Sequence, residues 1–164
     1  MKNKTARFFW GLTRIGMGWI FFWAFIDKLM GLGFSTVAEK SWLAGGSPTM
    51  GFLKSGTYGP LAGTFQSFAG HPVVDFLFMA GLLGVGAALL LGVGVKVAGY
   101  SGTMMMALMY AAAMPPKTNP LLDDHIIYGL ILLGFAFGSE VGETFGLGGW
   151  WKKQKLVKKN PILV

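Results

Sequence analysis

The chain has 164 residues, 53% hydrophobic and 13% charged, with a net charge of +7 and a mean hydropathy of +0.55. A soluble domain carries about 25% charged residues, so this one lacks the charge to wet its surface, and composition points to one integral membrane domain over residues 1–164. Cysteine is absent, which excludes a disulfide, a thiolate nucleophile, a cysteine-ligated iron–sulfur cluster and a covalently attached haem on this chain.

Four apolar stretches follow in order, about residues 8–30, 73–95, 97–114 and 120–139. Each is near the ~20 residues that a helix needs to cross ~30 Å of hydrocarbon. The expected fold is therefore all-α, an integral membrane four-helix bundle. The first stretch begins after Lys4 and Arg7, is interrupted by Arg14 and ends at Asp27 and Lys28. Its length, and the lack of a small-x-small site after Met30, read as a retained span rather than a cleaved signal. A long outer loop over residues 31–72 comes next, apolar enough to fold back on the bundle. Short interfacial helices are expected there, at about 35–44 and 60–69.

Spans two to four carry small residues at a spacing of four: Ala80, Gly84, Ala88 and Gly92; Gly99, Thr103, Ala107 and Ala111; Gly134, Gly138 and Gly142. That spacing keeps them on one helix face, where small side chains let backbones approach. Span one has no such row and more bulky aromatics. Met104 to Met106 and Met109 read as bundle filler. The tail, 150–164, is a basic segment with aromatic residues at its head, suited to the inner leaflet.

Four crossings put both termini on one side. Lys2, Lys4, Arg7, Lys96 and the five tail lysines lie on that side, against Lys28, Lys40, Lys54 and Lys117 on the other, so the positive-inside rule makes both termini cytoplasmic. Basic residues placed at the ends of apolar stretches suit a lipid bilayer and not a nucleic acid.

Five of the seven acidic residues, Asp27, Glu39, Asp75, Asp123 and Asp124, and both histidines, His71 and His125, fall toward the outer side. Asp27 and Lys28 then share a depth with Asp123, Asp124 and His125, and one polar cluster between spans one and four is expected. Part of that run has a plain role: Asn119 caps the helix, Pro120 opens it, and acids in the first turn suit the helix dipole. Successive residues turn by about 100°, so the three cannot all face outward, and Asp124 with Tyr128 offers an inward polar stripe with Lys28 as counter-ion. Arg14 is read two ways, as a ligand-binding group or as an arginine bonded to carbonyls at a neighbouring helix end. No pair of these residues has a recognised metal-ligand spacing, so neither a metal nor a haem is expected.

The segments RIGMGWIFFWAFIDKL (14–29), WLAGGSPTMGFL (42–53), GLLGVGAALLLGVGVKVAG (81–99), NPLLDDHIIYGL (119–130) and GLGGWW (146–151) together resemble the DoxX/DoxD family. The resemblance implies a small multi-pass protein of a prokaryotic plasma membrane. Its DoxD-like branch is the large subunit of thiosulfate:quinone oxidoreductase, which oxidises thiosulfate to tetrathionate, passes electrons to membrane quinone and has a smaller partner subunit. The expectation is a quinone held between spans one and four, with Asp124 or His125 exchanging protons beside Asp123. Lys28 or Tyr128 would donate to the quinone oxygen, with Asp27, Arg14 and Trp42 around it, and thiosulfate would approach Lys28, Lys40 or Lys54. The alternative is a non-enzymatic scaffold that recruits a soluble redox or oxidative-stress protein. A small second subunit, such a soluble protein and a second copy of the chain are the partners the sequence leaves room for.

Overall fold

The computed structural model describes residues 3–117, 119, 121–138 and 140–164. These residues are helical, with no strand among them beyond an isolated bridge between Tyr58 and Ala113. Two helices are long and apolar enough to cross a membrane, α1 (Lys4–Met30) and α3 (Pro72–Leu91). The short α2 (Ala62–Ser67) precedes α3. Next come α4 (Val95–Ala112), of 18 residues but less apolar, and α5 (Asp124–Phe137), apolar but only 14 residues long.

Local chemistry sets these boundaries. The Asn3 carboxamide accepts from the Thr5 and Ala6 N–H groups at the start of α1, and Gly31 ends it at φ 71°. The His71 ring accepts from the Val73 N–H ahead of Pro72, and Gly92 (φ 72°) and Gly94 (φ 60°) turn α3 into α4. The last apolar helix starts later than the Asn-Pro signal suggests. Asn119 Oδ1 accepts from the Leu121 and Leu122 N–H groups and so closes a local turn, while Asp123 caps α5 through the Ile126 N–H at 3.2 Å. The expected first helical position, Pro120, lies outside the described residues.

The bundle pairs α1 with α3 and α4 with α5, and α3–α4 contacts join the pairs. Backbones meet at glycines. A Cβ on Gly86 would lie 2.6 Å from the Phe22 nitrogen, one on Gly18 would lie 2.8 Å from the Leu90 nitrogen, and one on Gly99 would lie 2.6 Å from the Leu132 oxygen. Thr103 Oγ1 bonds both the Gly99 carbonyl (2.7 Å) and the Gly129 carbonyl (3.1 Å), tying α4 to α5. Of the three expected rows, Gly99 and Thr103 of the second meet α5, Gly92 of the first meets Gly142 of the third (a Cβ on Gly92 would strike the Gly142 oxygen) and Gly134 meets Trp10 of α1, while Gly84 faces open space. The α1 contact uses a stripe of Gly11, Arg14, Met17, Gly18 and Phe21, whose mixed sizes hide it from a search for small residues alone. The core is Met17, Phe21, Met79, Leu82, Val85, Leu89, Met106, Leu132 and Phe135.

The segment between α1 and α3 folds back as short turns. A 3-10 turn at Ala38–Lys40, a π turn at Phe52–Gly56 and α2 replace the two helices expected there, of which only the second corresponds closely. The basic tail is folded rather than extended. In it α6 (Gly148–Trp151) and α7 (Lys155–Lys159) turn back so that Trp151 Nε1 donates to the Leu163 carbonyl at 2.5 Å and the Lys96 N–H donates to the Val164 oxygen at 2.9 Å. Val157 is buried beneath.

Candidate functional site

At the C-terminal end of α1, Asp27 is fully buried and accepts three hydrogen bonds, from the Phe34 N–H (3.3 Å), the Ser35 N–H (2.9 Å) and Ser35 Oγ (2.6 Å). This carboxylate fastens the chain as it leaves the helix. The next residue differs. Lys28 Nζ donates only to Ser35 Oγ, at 3.3 Å, and forms no ion pair among the described residues. Trp42, half-buried against the core, contributes its backbone N–H to the Lys28 carbonyl at 2.9 Å and so satisfies an orphan acceptor at the helix end.

A second buried carboxylate anchors the loop. Asp75, in the first turn of α3, accepts through Oδ1 from Ser47 Oγ (2.9 Å), the Thr49 N–H (3.1 Å) and Thr49 Oγ1 (2.5 Å). Asp75 was not a site candidate on sequence. The available signal was an acid at the head of an apolar helix together with the Ser-Pro-Thr run of the loop, whose short side chains are good local acceptors and donors.

Between these two clamps lies a cavity of about 800 Å³. Phe52, Leu53, Phe65 and Phe68 of the segment between α1 and α3, Leu77 and Phe78 of α3, and Met105, Leu108 and Met109 of α4 make an apolar chamber. Its polar edge is Lys28, Lys40, Ser35 and Thr36. Leu77 is 63% exposed on the flank of α3, so the chamber also borders the side of the bundle.

The Asp123–Asp124–His125 run lies elsewhere. It lines a separate, shallower pocket of about 420 Å³ with Tyr58, Pro116, Lys117, Leu122 and Ile127. The expected single cluster is thus two sites: α1 is zipped to α3 and α5 to α4, no α5 residue is among those lining the first chamber and no α1 residue is among those lining the second. The ring contact of α1 with α5, Trp10 against Phe135, lies at the far end of α1. Nor does the inward stripe form: Asp124 is exposed, Tyr128 packs on the core, and Lys28 faces Ser35. The half-buried partners are instead Asp123 and His125, with Nδ1 2.7 Å from Asp123 Oδ2. Burial pushes the Asp123 carboxyl up, but the His125 ring and the Ile126 N–H together hold it below its ordinary 3.8. Lys117 Nζ rests 4.5 Å from the centroid of the Tyr58 ring.

Arg14 takes the second of its two readings. It is fully buried and donates to five carbonyls: Leu89 and Leu90 at the end of α3 (the latter at 3.2 Å), Val141 (3.1 Å), Thr144 (2.9 Å) and Phe145 (3.2 Å). A guanidinium has five N–H donors, so none is left for a ligand. Of the sequence candidates, Lys28 and Lys40 line the large chamber. Asp27, Trp42 and Arg14 hold the fold, and Asp123, Asp124 and His125 edge the smaller pocket.

No family model, no curated protein and no solved structure matches the chain.

Proposed function

We propose that this chain is a DoxX/DoxD-like membrane protein crossing the bilayer with α1, α3, α4 and α5, and that it is the quinone-binding subunit of a quinone-linked sulfur-compound oxidoreductase. The observation that carries the reading is the 800 Å³ apolar chamber with Lys28 and Lys40 at its polar edge. Large exposed apolar side chains occur on all four helices, among them Phe9, Leu77, Met104 and Leu130, a distribution costly in water and favourable in lipid. With α5 spanning about 21 Å at 1.5 Å per residue, the last crossing would be completed by the segments that flank it.

The chamber suits a quinone on chemistry and size. Aromatic and methionine walls accept a flat ring and the start of an isoprenoid tail, and an ammonium with only one hydroxyl partner has donors to offer a carbonyl oxygen. A bound quinone would supply a two-electron, two-proton acceptor. Lys28 would donate to and orient the ring oxygen, Ser35 links that ammonium to Asp27, and the Phe52 and Phe78 walls would exclude water. Lys40 offers an approaching anion a positive edge. Two thiosulfate ions would give up one electron each as their sulfurs join into tetrathionate, water would supply the two protons of the quinol, and a second subunit would complete the enzyme.

The test is thiosulfate-dependent quinone reduction in membranes expressing the chain with candidate small subunits, for the native chain and Lys28→Gln. Activity above empty membranes that falls at least tenfold in the variant is expected; rates equal to empty membranes with every subunit tried would end the redox reading. A second reading, a scaffold for a soluble redox or stress protein, is favoured by the use of Arg14, Asp27 and Asp75 in purely structural bonds. Under it, quinone binds without any dependence on Lys28.

A further inference from the structure

A different cleft, of about 290 Å³, lies at the end of the bundle where the tail folds. Its walls divide by chemistry. Val95, Phe135 and Phe137 are apolar, while Lys96 and Lys152 are basic. Phe137 is 74% exposed and sits edge-on to the Tyr100 ring at 6.0 Å, so the apolar wall continues outward along the flanks of α4 and α5.

The two lysines are not equivalent. Lys152 Nζ lies 2.8 Å from Glu143 Oε1, whereas the half-buried Lys96 ammonium has no hydrogen-bond or ion-pair partner among the described residues. Around the cleft the tail adds Lys153, Lys155, Lys158 and Lys159, all exposed, with Trp150 and Leu156 exposed beside them. An aromatic and aliphatic edge mixed with lysines is the composition of a headgroup-level surface. The cleft adds a built seat: one available ammonium at its rim and an aromatic wall leading toward the bilayer.

We propose that this cleft binds one anionic phospholipid of the inner leaflet, its phosphate at Lys96 and an acyl chain along Phe137. The ligand class follows from the two walls together. A free phosphate ion would use Lys96 and ignore Phe137; a zwitterionic lipid would use Phe137 and gain little from the surrounding lysines. Glu143 and Glu140 engage Lys152, and Val164, also in the cleft wall, accepts from the Lys96 backbone N–H at 2.9 Å and not from its ammonium, so the phosphate falls to the Lys96 side chain. The assignment rests on the membrane-crossing reading and is independent of any quinone chemistry.

The experiment uses the full chain purified in neutral detergent, titrated with phosphatidylglycerol, with phosphatidylcholine of the same chains, and with inorganic phosphate. Lipid retained per chain is counted by native mass spectrometry alongside the thermal midpoint. One phosphatidylglycerol should be retained per chain with a midpoint rise of several degrees, and neither comparison compound should match it. Lys96→Gln should weaken retention about fivefold while leaving the lipid-free midpoint unchanged, and Lys96→Arg should restore it. Equal retention of phosphatidylcholine, equal stabilisation by phosphate, or undiminished retention by Lys96→Gln would overturn the site; if Lys96→Gln does not fold, Phe137→Ala gives the same reading through the apolar wall. Recovery of the chain in the aqueous fraction without detergent would instead overturn the membrane crossing itself.

Discussion

Arg14 and Lys28 are fourteen residues apart on α1 and close to one helix face, yet the fold treats them in opposite ways. The arginine is sealed at one end of the bundle with every N–H committed to a carbonyl; the lysine stands at the other end with a single serine as partner and a chamber in front of it. Both would count as suspicious charges in an apolar helix. What separates a structural charge from one available to a ligand is the number of donors the protein leaves open. A planar fork of five donors suits the crowded carbonyls where α3 ends and the chain turns after α5, and a compact ammonium suits a variable guest.

That contrast predicts a graded set of outcomes. The largest belongs to Arg14→Leu, which strips the hydrogen bonds from five carbonyls in a dry interior and should cost on the order of 3 kcal/mol or more. Thermal unfolding in detergent reads this directly. Arg14→Lys should rescue little of it, since three donors cannot reach five acceptors; a near-native midpoint for the lysine variant would break the distinction. Next is Asp27→Ala, which removes the acceptor for two backbone N–H groups and a hydroxyl and should cost about 1–3 kcal/mol, detectable as a lowered midpoint and faster proteolysis between Gly31 and Ser41.

Lys28→Gln, one residue further on, should change stability by less than about 0.5 kcal/mol while weakening quinone binding roughly tenfold, as expected for loss of one charge-assisted hydrogen bond. Equilibrium binding of a short-chain quinone measures it. A variant that binds as tightly as the native chain would place Lys28 with the structural charges after all.

The smallest effect concerns Asp123. Its carboxyl titrates below its ordinary value when folded, so the folded state binds fewer protons than the unfolded chain across that interval and stability rises with pH there. The contribution is complete above about pH 4 and fades as pH falls through the depressed value. Asp123→Asn should flatten that part of the stability curve, read by denaturation between pH 2.5 and 6, and leave the chamber beside Lys28 untouched because the two pockets share no residue.

The positions of the long helices were legible because each carries its own signal. Apolar length marked α1 and α3, and the small residues Gly99 and Thr103 marked a true contact of α4, whereas the turn between α3 and α4, expected at residue 96, falls earlier, at Gly92 and Gly94. Helix starts were less so. Asn119 and Asp123 are both good caps four residues apart, and local propensity does not choose between them. The site was legible only in part: Lys28 could be singled out as an ionisable group at the end of a span, but the chamber it faces is built from Phe52, Phe68, Phe78 and Met109, drawn from four separated segments.

By itself, then, the sequence determined that this is a helical, apolar chain whose charges gather at the ends of its apolar stretches, because period, length and charge are properties of neighbours along the chain. Tertiary structure alone decided that the polar groups of α1 and α5 would not meet. Gly18 and Gly86 draw α1 onto α3, Gly99 draws α5 onto α4, and those backbone approaches between distant residues leave the acids and the imidazole around one pocket and the lysine before another.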